Sequence, residues 1–106
     1  MKMVTLAEVQ TSVNYQVERD YGHVPSERVH SLAMLGLTEE AGEVAGLMKR
    51  QLRNNLRDAG KFTRERYVEE LGDVLWYLAA CCNCVGTTLE EIWEQNTDKL
   101  KERYGE

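Results

Sequence analysis

Residues 26–52 read SERVHSLAMLGLTEEAGEVAGLMKRQL, and the apolar positions within them point to the architecture. Val29, Leu32, Ala33, Leu37, Ala41, Val44, Ala45 and Met48 recur at spacings of three and four, the period of a helix that buries one stripe. No alternating β-branched run competes with that pattern elsewhere, and the single proline, Pro25, stands just ahead of it. The spacing predicts an all-α protein in which Ser26 caps a long helix that reaches about Leu52.

The flanking sequence extends the same reading. Thr5-Leu-Ala-Glu8 has the form of a capping box and opens a first helix running to about Arg19. Gly22 and Pro25 punctuate the break after it. Asn54, Asn55 and Gly60 mark a loop, Thr63 starts a third helix ending near Val85-Gly86, and Thr88-Leu-Glu-Glu91 opens a fourth that runs to about Tyr104. Residues 1–106 thus form a single domain of four helices, bundle-like in outline. The third helix is apolar nearly all round from Val74 to Val85. Such a helix is buried on every side, and three short neighbours scarcely cover it, so the expectation is a core shared in a homodimer or homotetramer.

Charge and composition exclude several classes. The chain has 13 Lys+Arg against 18 Asp+Glu, a net charge of −5, which argues against a nucleic acid polymer or an anionic membrane as partner. The longest apolar stretch, Val74 to Cys82, falls far short of the roughly 20 residues that span a bilayer. Met1 to Ser12 holds no signal-peptide core. Cys81, Cys82 and Cys84 are too few and too close for a disulfide framework, and read as small buried thiols of a cytoplasmic protein.

Chemistry gathers on the second and third helices. Glu40 and Glu43 form an i, i+3 pair beside Glu39, and Glu70 and Asp73 form another just before the apolar run. Like charges at that spacing repel. Eighteen acids in 106 residues produce some such pairs by chance. Two pairs on successive helices, each bordered by core positions (Leu37, Ala41 and Val44; Leu71, Val74 and Leu75), are harder to dismiss as solvated faces. On facing antiparallel helices they would surround one point, where close carboxylates resist joint ionisation unless a cation joins them. An all-oxygen set suits Mg²⁺, with Mn²⁺ as a substitute, and the absence of histidine from both pairs disfavours zinc and Glu-x-x-His di-iron sites. On the fourth helix, Asn96 interrupts the stripe of Leu89, Trp93 and Leu100 that marks the core. Asn96, Lys99 and Arg103 share one narrow face suited to phosphate oxygens, or else form an ordinary basic helix end.

Glu39-Glu40-Ala41-Gly42-Glu43, followed at a distance by Glu70-Leu71-Gly72-Asp73, resembles the EExxE…ExxD signature of the MazG-like nucleoside triphosphate pyrophosphohydrolases. That all-α superfamily includes dimeric dUTPases, dCTP pyrophosphatases and phosphoribosyl-ATP pyrophosphatase. The likeness covers about residues 26–104, with the first helix as an N-terminal addition. It implies Mg²⁺-dependent cleavage of a (d)NTP between the α- and β-phosphates to (d)NMP and pyrophosphate, as in house-cleaning of non-standard nucleotides. Glu40, Glu43, Glu70 and Asp73 match the metal ligands. Glu39 matches a position that assists a ligand or orients the attacking water, with a salt bridge to the basic loop as the other reading. Asn96, Lys99 and Arg103 match phosphate contacts, and Tyr77 a position near the nucleotide; His30 falls where some relatives contact the base, or else is a surface or capping residue. Metal ions would let an acidic protein hold an acidic substrate.

Two features depart from the family pattern. The Glu43–Glu70 interval is longer than in compact relatives and carries seven cations between residues 49 and 66, including Lys49, Arg53, Arg57 and Lys61. These close over phosphates, reach across a dimer, or simply solvate a linker. The extra helices of dUTPase-like members are missing. A phosphoribosyl nucleotide as substrate, and a non-catalytic helical oligomerisation or metal-binding module, remain as alternatives.

Overall fold

The computed structural model describes residues 3–57 and 63–105, with the side chains of 54–57 outside that description. Four helices follow one another: α1 (Leu6–Tyr21), α2 (Ser26–Arg57), α3 (Arg64–Val85) and α4 (Leu89–Tyr104). There is no strand among the described residues.

Most helix ends fall where the local chemistry requires. The Thr5 hydroxyl accepts from the Glu8 amide at 3.1 Å while the Glu8 carboxylate accepts from the Thr5 amide at 3.2 Å, closing the capping box. Thr63 and Thr88 cap α3 and α4 by accepting from the amides of Arg66 and Glu91. Gly86 ends α3 in the left-handed region at φ 77°, and the Thr87 amide donates back to the Cys82 carbonyl at 3.0 Å, a turn that strongly favours glycine. Two boundaries differ from the sequence expectation. Ser26 is the first helical residue rather than the cap: the Pro25 carbonyl takes the first α2 bonds, from Arg28 and Val29. The helix also runs through Asn54 and Asn55 to Arg57, so Lys49, Arg50 and Arg53 lie on α2, not on a loop. The Arg57 side chain, Asp58 and Lys61 lie outside the described residues.

Helices α2 and α3 form the main antiparallel pair, α1 packs on α3, and α4 folds back against α1. The core at their junction is built of small residues, with Val13, Ala33, Ala79, Ala80, Cys81, Cys82 and Leu89 buried and Val9, Val17, Leu37, Trp76 and Ile92 packed around them. Cys81 and Cys82 are buried free thiols and Cys84 is half-buried. Gln10 is the polar bolt of this junction. Its amide nitrogen donates to the Asn83 side chain (2.9 Å) and the Thr87 carbonyl (2.7 Å), and its oxygen accepts from the Leu89 amide (2.9 Å). One side chain thereby ties α1 to the turn between α3 and α4.

The protomer is open. Its radius of gyration is 17.0 Å, against about 13 Å for a compact chain of this length. It exposes 8254 Å², where a compact monomer of this mass exposes about 6,000 Å². The third helix accordingly departs from its all-round pattern: Ala79 to Cys82 are buried, whereas Val68, Leu71, Leu75 and Val85 are exposed. Trp93, expected in the core, is 67% exposed. No helix among the described residues is long and apolar enough to cross a membrane.

Replacing Gln10 by Leu leaves the Leu89 amide, the Thr87 carbonyl and Asn83 without that partner in a buried place. We expect a loss of about 2 kcal/mol in urea unfolding. A change near zero would show that water takes over those bonds.

Candidate active site

The approach of α2 to α3 decides which side chains meet. Gly36 lies against the ring of Tyr77, in contact so close that a Cβ would overlap the ring edge. At the other end the Tyr67 hydroxyl donates to the Gln51 side chain at 2.5 Å. Leu47, fully buried, lies on the stretch of α2 between these fasteners. Antiparallel helices held this way bring Glu40 opposite the next acidic turn of α3.

Glu40, Glu70 and Asp73 each place one carboxylate oxygen within 4.8 Å of the other two. Glu40 and Glu70 are half-buried and Asp73 is exposed. Partial burial, then the charges of Asp73, Glu70, Glu39 and Glu43, push the Glu40 carboxyl above its ordinary range. Glu39 and Glu43 are thus close enough to act through their fields, although both are exposed and lie outside the three-oxygen group. The set fits a hard divalent cation: it supplies only oxygen, it carries excess negative charge, and exposed Asp73 leaves one side open to water and substrate.

Tyr77 lies one helical turn beyond Asp73. Burial, then Tyr21, Glu40, Glu39 and Asp73, raise its phenol, so it is a protonated donor at neutral pH. It packs edge-on to Trp76, with centroids 5.0 Å apart, and the Trp76 indole donates to Gln16 at 3.0 Å. Beyond Tyr77 opens a cavity of about 400 Å³ between α1, the start of α2 and α3, lined by Asn14, Glu18, Tyr21, His30, Trp76 and Cys84 among others. His30, exposed on α2, is therefore at the cavity wall. The α1 contribution was not anticipated from the sequence. Its signal is the polar spacing Asn14, Glu18, Tyr21 at i, i+4 and i+7, one face of a helix set down only as an addition.

Asn96, Lys99 and Arg103 lie elsewhere. All three are exposed, and Asn96 borders an apolar groove lined by Leu6, Leu75, Leu78, Ile92 and Trp93. That groove is on the side of α3 away from Asp73.

The model of the MazG nucleotide pyrophosphohydrolase domain matches residues 28–106. The chain belongs to the MazG family. It is also 36% identical over 73 residues to the Gene 37 protein of Mycobacterium phage L5, a match that covers 69% of this chain and 64% of that protein. The chain therefore spans less than two thirds of that relative's length. No solved structure matches. The region matched to the MazG domain begins after α1, so the helix that walls the cavity is outside it.

Two measurements check this geometry. Gly36→Ala drives a methyl into the Tyr77 ring and should cost about 1–3 kcal/mol; Tyr77→Ala in the same chain should recover part of that loss in urea unfolding, because the obstacle is gone. The second concerns pH. A carboxyl raised in the folded state adds stability below its unfolded pKa that is lost as pH rises through its folded pKa. In chelator-treated protein, Glu40→Gln should therefore raise Tm at neutral pH, and the advantage should vanish as pH falls below the ordinary carboxylate range. An advantage independent of pH would mean that charge on Glu40 is not what opposes folding.

Proposed function

We propose that this chain is a divalent-metal-dependent nucleotide pyrophosphohydrolase that cleaves (d)NTPs between the α- and β-phosphates. The observation that carries the reading is the convergence of the Glu40, Glu70 and Asp73 oxygens from two facing helices, beside a cavity of the right size for a nucleoside. Membership of the MazG family supports it independently. Glu40, Glu70 and Asp73 would hold Mg²⁺, or Mn²⁺ in its place, and Glu43 would join them by a rotamer change from one turn along α2. The metal would offset phosphate charge and make water a better nucleophile.

The remaining steps belong to the chain itself. Water adds to the α-phosphorus and the bridging oxygen leaves with pyrophosphate, so (d)NMP and pyrophosphate are the products. Glu39, exposed one residue before Glu40, is placed to orient that water from the solvent side. Tyr77, held against Gly36, stands between carboxylates and cavity, where its hydroxyl can donate to a sugar or phosphate oxygen. The nucleoside occupies the α1–α2–α3 cavity, in which Trp76 offers a ring edge and Asn14 and His30 offer polar contacts. Asn96, Lys99 and Arg103 bind the outer phosphates. House-cleaning of non-standard nucleotides in the cytoplasm is the role this chemistry serves.

Purified protein should be incubated with common and damaged NTPs and dNTPs, with Mg²⁺ or with chelator, and the products separated by chromatography. We expect monophosphate plus pyrophosphate only with the metal, and a fall of about 10²–10³-fold in Glu40→Gln. Turnover of a phosphoribosyl nucleotide alone would move the substrate within the family. Absence of any turnover would identify a non-catalytic module.

A further inference from the structure

Helix α3 presents opposite faces to the two halves of the proposed site. Asp73 and Glu70 meet Glu40 of α2, whereas Leu75 and Leu78 line the groove that Asn96 of α4 borders. At 100° per residue Leu75 is about 200° round the helix from Asp73, and a helix with its side chains is about 10 Å thick. The body of α3 therefore separates Asn96, Lys99 and Arg103 from the carboxylates of their own chain. Yet the triphosphate reading needs cations and acids around a single ligand.

We infer that the site is completed by a second copy of this chain, α4 of one copy laying Asn96, Lys99 and Arg103 beside Glu40, Glu70 and Asp73 of the other. The inference rests on the pyrophosphohydrolase reading for its ligand and on separate observations for its partner. The protomer exposes 8254 Å², an excess of about 2,000 Å² over a compact monomer of this mass. Removed from both copies, that excess falls within the 2,000–5,000 Å² range, roughly, of obligate homodimers.

The exposed residues also say where the surface lies. Val68, Leu71 and Leu75 form one uncovered apolar stripe on α3, and Trp93, Leu100 and Tyr104 another along α4. A second copy supplies the same two stripes, so each can meet the other under two-fold symmetry. Charge agrees with this. The acids around Glu40 raise its carboxyl, and Lys99, Lys101 and Arg103 make the end of α4 the basic counterpart. A like surface from the partner's α2 would add repulsion; its α4 removes it.

Two experiments test the arrangement. In the first, Glu40→Gln and Lys99→Ala/Arg103→Ala chains, each shown folded by circular dichroism, are unfolded together and refolded as an equal mixture. Sites built from two chains give one intact site in every mixed pair, so activity should return to about a quarter of wild type. Sites built within one chain leave the mixture at the average of the two inactive parents. In the second, ¹⁴N- and ¹⁵N-labelled wild-type chains are co-refolded and treated with a carbodiimide, which joins carboxylates to lysine amines within contact distance. Mixed-label peptide pairs joining Lys99 or Lys101 to residues 39–43 or 70–73 are expected. Pairs of one label only, no such pairs, or a monomer in sedimentation at micromolar concentration would overturn the inference. If wild-type protein hydrolyses no nucleotide, the pyrophosphohydrolase reading fails, while the cross-link still decides which chain supplies α4.

Discussion

Three carboxylates held against one another are the constraint around which this protein is arranged. Glu40, Glu70 and Asp73 would separate if α2 and α3 were free to do so, because each ionised neighbour makes the next harder to ionise. What keeps them together is packing of unusual closeness: Gly36 under the Tyr77 ring at one end, Leu47 sealed between the helices, and the Tyr67–Gln51 bond at the other. Removing a methyl at position 36 costs helix propensity, and the structure accepts that cost to seat an aromatic ring one turn from the acids. Stability is thus spent at one place so that charge can be concentrated there.

The same economy explains the small core. Alanines and cysteines at 79–82 let α1 come near α3, and that nearness creates the walls of the cavity beyond Tyr77. Larger side chains would fill the space a ligand is proposed to enter. The consequence is a protomer without the apolar depth to be self-sufficient, which is why so many leucines remain at its surface.

Most of the fold was legible in the chain because helix starts are local chemistry. Thr5, Thr63 and Thr88 announce caps that form as expected, and Gly86 announces a stop. The end of α2 was not legible: Asn54 and Asn55 read as a loop, yet asparagine costs a long helix only tenths of a kcal/mol, roughly, and the helix continues to Arg57. The acids were visible by their spacing among apolar positions. The cavity was not, since the face that α1 turns inward depends on Gln10 finding Asn83, 73 residues away. Nor could the stripe on α4 reveal its setting. Periodicity shows that Trp93 and Leu100 want covering, not which surface does the covering.

The three cysteines have a bearing on how the protein behaves in the hand. Burial raises the thiols of Cys81, Cys82 and Cys84, so at neutral pH the fraction present as thiolate is smaller than for an ordinary cysteine. Since the thiolate is the form that reacts, alkylating reagents should find the folded chain slow to label despite its clustered sulfurs. Labelling speed then becomes a gauge of opening between α1 and α3, read at Cys84 on the cavity wall without any substrate present.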